Sequence, residues 1–369
     1  MPRNYLWGVI MLFDLRPKEQ REELFGRNAE LSEILRLLEA GRWVAVLGAR
    51  MTGKSSIIKT AGTELSKQSF RFMYVNLLGV RSIDGFISAI ADAINRSKTL
   101  LDKAKDFLSL VEGVRIGIGG LSLTVPRAKR PVRTAFEIFS ALGSTKERIV
   151  VALDEVQELS SVSRPLLELL GRLFATHRNL LFLFTGSQFG LMRTLLEPGA
   201  ESPLYGRPPA KIILQPFDTK TATEFLRCGF LELGMTMGET GIEEVLERLD
   251  GIPGWLTLYG SKAGVEKLPH AAALEEAVKD AEKIVVSELR NFLASRNKEL
   301  YIAVLRAAAY GARWGDLKRA VEARVGVVNS ARLAAALRSL KATMLLDEEE
   351  GLYRIIDPIV RKAVLTRRI

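Results

Sequence analysis

A parallel α/β sheet sandwiched by helices, followed by a helical lid and a winged-helix domain, is predicted by three stretches of the sequence. The first is Gly48-Ala49-Arg50-Met51-Thr52-Gly53-Lys54-Ser55, set between the apolar run Trp43–Leu47 and the helix start Ser56–Thr60. The second is Ile149-Val150-Val151-Ala152-Leu153-Asp154-Glu155, an apolar run closed by two carboxylates. The third is the C-terminal succession of three helical patterns and two short strand patterns between Leu300 and Ile356.

The first stretch is a P-loop in the strand–loop–helix context that the motif needs. Gly48 and Gly53 let the backbone fold back, so that the N–H groups of Gly48 to Ser56 turn toward phosphate oxygens. Lys54 brings a mobile positive charge for the β- and γ-phosphates, and the helix N-terminus adds a partial one. Ser55 offers its hydroxyl to Mg²⁺. The second stretch supplies what such a loop requires nearby. Its apolar residues form a buried strand, which places Asp154 and Glu155 at the C-terminal sheet edge where ligands of open α/β sheets bind. Asp154 is expected to hold Mg²⁺ through water, and Glu155 to orient and deprotonate the attacking water. ATP is expected rather than GTP, because Asp154 runs into Glu155-Val156-Gln157 instead of a switch glycine. Asn297-Lys298-Glu299-Leu300 also lacks the aspartate of a guanine-binding signature.

The chain has 369 residues, 47% hydrophobic and 26% charged, which is room for two or three globular domains. Lys and Arg number 53 against 43 Asp and Glu, a net charge of +10 that tilts toward nucleic acid or an acidic surface as partner. A single Cys228 excludes an internal disulfide and fits a reducing cytoplasm. With only His177 and His270, no zinc site of the His/Cys type can be built. Tyr5–Phe13 is apolar after Arg3, but Asp14-Leu15-Arg16-Pro17-Lys18 follows without a cleavage site, and the run is too short to span a bilayer. No secretion and no membrane partner are expected, and either Met1 or Met11 can serve as the start.

Along the chain, Leu24–Leu31 opens a helix and Phe70–Leu77 reads as a second strand, with Asn76 near the catalytic edge. Ile83–Leu110 reads as one or two helices, and Val114–Val125 as a hairpin turning at Gly119-Gly120, followed by the basic loop of Arg127, Lys129, Arg130 and Arg133. Ala135–Leu142 and Ser163–His177 are helices, Asn179–Ser187 a strand, and Ile212–Leu214 a last strand before Pro216. In P-loop ATPases with an added strand between the two motifs, a polar residue at the end of that strand senses the γ-phosphate. Thr185 and Ser187 are both candidates. Thr219–Leu233 and Gly241–Leu249 are helices, Gly251-Ile252-Pro253-Gly254-Trp255 a turn, and Leu274–Ala294 a long amphipathic helix. The division expected is 1–216 for the ATPase core, 217–272 for the lid, and 273–369 for a linker helix and winged helix. The third C-terminal helix buries Leu333, Leu337 and Leu340. It leaves Arg332, Ala335, Ala336 and Ser339 on a face with few long donors, beside a wing tip of Glu348-Glu349-Glu350.

Phe25-Gly26-Arg27-x-x-Glu30-Leu31 ahead of the P-loop, Pro203-Leu204-Tyr205-Gly206-Arg207, and the winged-helix pattern together resemble a family. It is that of the archaeal ATPases related to the STAND and origin-recognition branches of the AAA+ superfamily, and the resemblance runs from Arg16 to Asp357-Pro358. It implies a P-loop NTPase fold of the AAA+, additional-strand type. It further implies that Phe25, Gly26 and Arg27 pack over the adenine. Arg207 would lie near the nucleotide, in cis or across a subunit contact. Gly251-x-Pro253 resembles a lid motif whose proline, Pro253, lies against the nucleotide and reports its state. Met51 departs from the second arginine such proteins often carry there; its side chain would point away from the phosphates, leaving binding intact and weakening a subunit contact.

ATP and Mg²⁺ are therefore the expected cofactors, and an ATP-hydrolysing switch or loader the expected activity, slow without an arginine supplied in trans. Two readings of its output stay open. The winged helix holds double-stranded DNA, or it binds a protein partner, a second copy or its own core as a signalling switch. A nucleotide kinase would need an acceptor pocket under an arginine-rich lid and gives the winged helix no role.

Overall fold

Two units, residues 18–48 with 54–214 and residues 49–53 with 215–369 and the N-terminal segment through Pro17, make up the protein. The computed structural model describes residues 12–117, 122–125, 129–186, 191–294, 296–366 and 369. Ser187, Arg127 and the Gly119-Gly120 turn lie outside the described residues.

In the first unit, α1 (Asn28–Glu39) turns Leu31, Ile34, Leu35 and Leu38 inward at helical spacing. β1 (Val44–Gly48), buried along its whole length, leads through the Gly-rich loop to α2 (Lys54–Ser66) and β2 (Phe70–Asn76). The Ile83–Leu110 pattern resolves into α3 (Ile83–Arg96), N-capped by Ser82, and α4 (Lys98–Leu108). The short strands β3 (Arg115–Ile116) and β4 (Leu123–Thr124) pair antiparallel, as the hairpin pattern predicts. α5 (Pro131–Gly143) starts at a proline in the first turn and precedes β5 (Arg148–Asp154). A 3₁₀ segment, Val156–Val162, then gives way to α6 (Ser163–Thr176), β6 (Leu180–Gly186), α7 (Leu191–Leu196) and β7 (Ala210–Leu214).

All five long strands are parallel, in the order β2-β5-β6-β1-β7. β6 is thus inserted between the loop-bearing β1 and the Asp-ending β5, which is the additional-strand arrangement. The fully buried β1 and β6 require helices on both faces, as parallel sheets do. Near the start of β1, Trp43 meets the rings of Phe174 and Phe182 edge-on at 5.1 and 4.7 Å. The register Asn76↔Asp154, Leu153↔Phe184 and Val46↔Thr185 brings the C-terminal ends of β2, β5, β6 and β1 to one edge.

The second unit begins with Phe13, packed edge-on against Phe225 and Phe230 at 5.8 and 5.1 Å. Gly229 and Gly260 make room for the ring: a Cβ on either would stand 2.3 Å from it. α8 (Thr219–Glu232), capped by Asp218, and α9 (Glu239–Leu249) are the expected lid helices. The expected Gly251–Trp255 turn ends sooner, because Pro253 opens a third helix, α10 (Pro253–Gly260), extended by a π turn over Ser261–Val265. A proline in the first turn gives up an N–H that would have no intrahelical partner, so it starts a helix as readily as a turn. α11 (His270–Leu293) follows.

α12 (Lys298–Ala307), β8 (Ala312–Arg313), α13 (Trp314–Val325), α14 (Ser330–Ala342), β9 (Asp347–Glu349) and β10 (Leu352–Arg354) follow the helix and strand order of a winged helix. The three strands form an antiparallel sheet in the order β8-β10-β9, and α15 (Pro358–Leu365) closes the unit. The first wing strand lies later than its apolar residues suggest. Met344, at φ 57°, and Leu345, whose N–H donates to the Leu340 carbonyl at 3.0 Å, are used in capping α14. Glu348 and Glu349 therefore sit within β9 rather than at the tip, which is Glu350-Gly351, both at positive φ. Ala336 is buried with Leu333, Leu337 and Leu340 instead of facing outward. No helix among the described residues is long and apolar enough to cross a membrane.

Candidate phosphate-binding and hydrolysis site

The loop that leaves β1 is pinned from within. Thr52, fully buried, donates its hydroxyl to the Ala49 carbonyl at 2.8 Å. Gly53 takes φ 95°, a backbone state that a side chain would strain, and a Cβ there would meet nothing within 4 Å. Lys54 begins α2 and its Nζ donates to the Gly48 carbonyl at 3.0 Å.

Asp154, the last residue of β5, is 2% exposed. Its Oδ2 accepts from the Ser55 hydroxyl at 2.8 Å and from the Tyr74 phenol at 2.6 Å, and its Oδ1 from the buried Thr185 hydroxyl. Thr185 in turn accepts from the Glu155 backbone N–H at 3.2 Å. Three donors on one buried carboxylate hold it in one orientation. Burial, and then the charge of Asp154, push the Tyr74 phenol well above its ordinary range, so it stays a donor. Glu155 is in the left-handed region, φ 60° and ψ 45°, and its Oε2 accepts from the Gln157 amide.

Ser55 and Asp154 together fit a magnesium ion. They are hard oxygen donors 2.8 Å apart, few in number, as suits a cation that fills its remaining positions with phosphate oxygens and water.

The flanking candidates fall in different places. Ser56 accepts from the Lys18 N–H at 3.1 Å, and Thr60 donates to the Lys18 carbonyl at 3.4 Å, which seats the incoming chain on the first turns of α2. Phe25 is half-buried and Gly26 exposed at φ 66°. Arg27 is buried and bonded to Glu30 at 3.0 Å, with burial, opposed by Glu30, holding its guanidinium below the usual arginine value. Arg207 is the clear displacement. Its guanidinium lies 5.6 Å from the Phe174 ring, and the Ala210 N–H just after it donates to the Trp43 carbonyl at 2.8 Å. That is the start of β1, and a five-residue strand separates it from the loop by roughly 15 Å at about 3.3 Å per residue. Arg207 therefore lies toward the start of β1, at the end of the strand opposite the one that leads into the P-loop.

At the loop's apex, which groups with the second unit, the Met51 carbonyl accepts from the Gly254 N–H at 2.8 Å. Arg50 forms an ion pair with Glu288 of α11. A Cβ on Gly254 would stand 2.6 Å from the Met51 Cβ, so only glycine allows this approach. Met51 itself is at φ 62°. Pro253, next to Gly254, opens α10 against this apex.

Sequence reasoning missed Tyr74, Gln157, Gly254 and Glu288. Tyr74 alone carries a signal. It lies two residues before Asn76 on the same face of β2, and the register puts that face beside Asp154.

Among solved structures, a Walker-type ATPase of Pyrococcus abyssi is 28% identical and superposes with a TM-score of 0.77, covering 97% of this chain and 100% of that one. The ORC2 protein of Aeropyrum pernix, in its ADPNP–ADP complexes, is 16% identical with a TM-score of 0.58, covering 97% and 98%. Cdc6p of Pyrobaculum aerophilum is 14% identical with a TM-score of 0.50, covering 96% and 97%. These two share the fold. No curated protein matches the sequence. Residues 24–258 match the family model described as an ATPase domain predominantly from Archaea. The chain belongs to that family and is a P-loop ATPase.

Proposed function

We propose that this ATPase is a Mg²⁺-dependent switch that couples its nucleotide state to the C-terminal helices and wing, which contact double-stranded DNA. The observation that carries it is the double tie on the P-loop apex: the Gly254 N–H on Met51 and Glu288 on Arg50. The loop that grips the phosphates is thereby bound to the first turn of α10 and to α11, the helix leading into the winged helix. A change at the γ-phosphate alters the loop, and both helices feel it.

In this reading Gly48 to Ser56 cradle the phosphates and Lys54 swings from the Gly48 carbonyl to the β- and γ-oxygens. Ser55 and Asp154 would hold Mg²⁺, which would supply charge withdrawal from the phosphate oxygens. Glu155 takes a proton from water as the water oxygen bonds to the γ-phosphorus and the bond to the ADP oxygen breaks. Thr185 or Ser187 senses the γ-phosphate, and Phe25, Gly26 and Arg27 flank the adenine. Pro253 reports nucleotide state from the lid. Arg207, held beside the start of β1, serves a neighbouring copy in a homo-oligomer. Residues 1–216 act as the core, 217–272 as the lid and 273–369 as the linker and winged helix, in the cytoplasm.

A second output, contact with a protein instead of DNA, is favoured by the wing. Lys341 of α14 is paired with Glu348 of the wing, and Arg354 with Glu349 at 2.8 Å, so a cation on each element already has a carboxylate. The test is the steady-state ATPase rate with and without duplex DNA, with Lys54→Ala as the blank. A rate that rises with duplex and falls with salt is expected. Turnover indifferent to duplex would move the output to a protein partner, and a rate no higher than the blank would end the hydrolysis reading.

A further inference from the structure

We propose that Gln157 is a positioning residue for Glu155: it holds one carboxylate oxygen so that the other is left for the attacking water. The inference rests on the reading of Glu155 as the base. Glu155 stands just past β5 in the left-handed region, where its long side chain is not steered by strand packing. Among the described residues, the hydrogen bond that holds its carboxylate is that of the Gln157 amide on Oε2. The reverse amide orientation would set a carbonyl oxygen against a carboxylate, so the N–H side must face Glu155.

The other end of Gln157 argues that it is not there for stability. Its Oε1 is buried with no hydrogen-bond partner among the described residues. It is wedged at the end of β6, where a Cβ on Gly186 would stand 2.1 Å from it. A leucine would fill similar space without burying an unserved acceptor. What leucine cannot do is donate to Glu155.

The experiment measures kcat, KM, the pH profile of kcat and Tm for Gln157→Leu and Gln157→Glu, with Glu155→Gln as reference. Gln157→Leu should lower kcat about tenfold or more, with KM within about twofold and Tm unchanged or higher. Gln157→Glu should move the acid limb of kcat to higher pH, because a second carboxylate raises the proton affinity of Glu155. If Glu155→Gln loses turnover while Gln157→Leu keeps the wild-type kcat and pH profile, Gln157 has no positioning role. A loss of kcat that merely follows a lowered Tm, with the acid limb of Gln157→Glu unmoved, also overturns it. If Glu155→Gln turns over like wild type, the base assignment itself fails and this inference goes with it.

Discussion

At the scale of single residues, the site is organised around a buried carboxylate with three donors, and Tyr74 is the one whose removal is cleanest to read. Tyr74→Phe keeps the ring and deletes one hydrogen bond to Asp154, a loss of about 1.5–3 kcal/mol for a bond to a charged group. Tm should fall by a few degrees without nucleotide. The dependence on pH has a definite sign. The folded phenol ionises above its unfolded value, so its contribution is complete below the ordinary tyrosine value near 10 and is lost as pH rises beyond it. The Tm gap between wild type and variant should therefore narrow in alkali, and a constant gap would show that the hydroxyl does not serve Asp154. The contiguous parts of the site, Gly48–Ser55 and Asp154-Glu155, were legible because one stretch of backbone creates each of them. Tyr74 and Asp154 are brought together by strand pairing across 80 positions, and sequence carries that only as the shared face of two strands.

At the scale of elements, strands and long helices were readable wherever one period dominated, and boundaries failed where caps decided them. The wing is the plainest case: Met344-Leu345-Leu346 has strand composition, yet two of the three are consumed in ending α14. α10 was hidden for a related reason, since Gly251-Ile252-Pro253-Gly254 has turn composition while Pro253 begins a helix. The close approach of Gly254 to Met51 makes that element testable. Gly254→Ala would put a methyl 2.6 Å from the Met51 Cβ and 3.0 Å from its carbonyl oxygen, parting α10 from the loop apex. Overpacking of this kind costs about 1–3 kcal/mol, so ATP should bind roughly tenfold more weakly in a fluorescent-nucleotide titration, with α10 still helical. Unchanged affinity would mean that the apex holds its shape without the lid turn.

At the scale of the whole molecule, the sequence reported charge but not where it is free. The excess of +10 suggested an anionic partner, whereas many of the cations prove to be engaged by carboxylates, among them Lys341, Arg354, Lys318 and Arg319 in the C-terminal unit. Arg332 and Arg338 on α14 are exposed beside the buried Leu333, Ala336 and Leu337, and they are the side chains of that helix best placed for phosphate. Each phosphate contact contributes close to one unit to the slope of log affinity against log salt. Replacing both arginines by alanine should flatten that slope by about two and weaken duplex binding at every sequence alike, since phosphate contacts carry no base information. ATP turnover in the absence of DNA should be unchanged, because neither residue belongs to the phosphate site. If the double variant binds duplex with the wild-type slope, the DNA-facing surface is not α14. If the wild-type protein has no salt-dependent duplex affinity at all, the paired wing is better matched to a protein, and the switch acts through that contact.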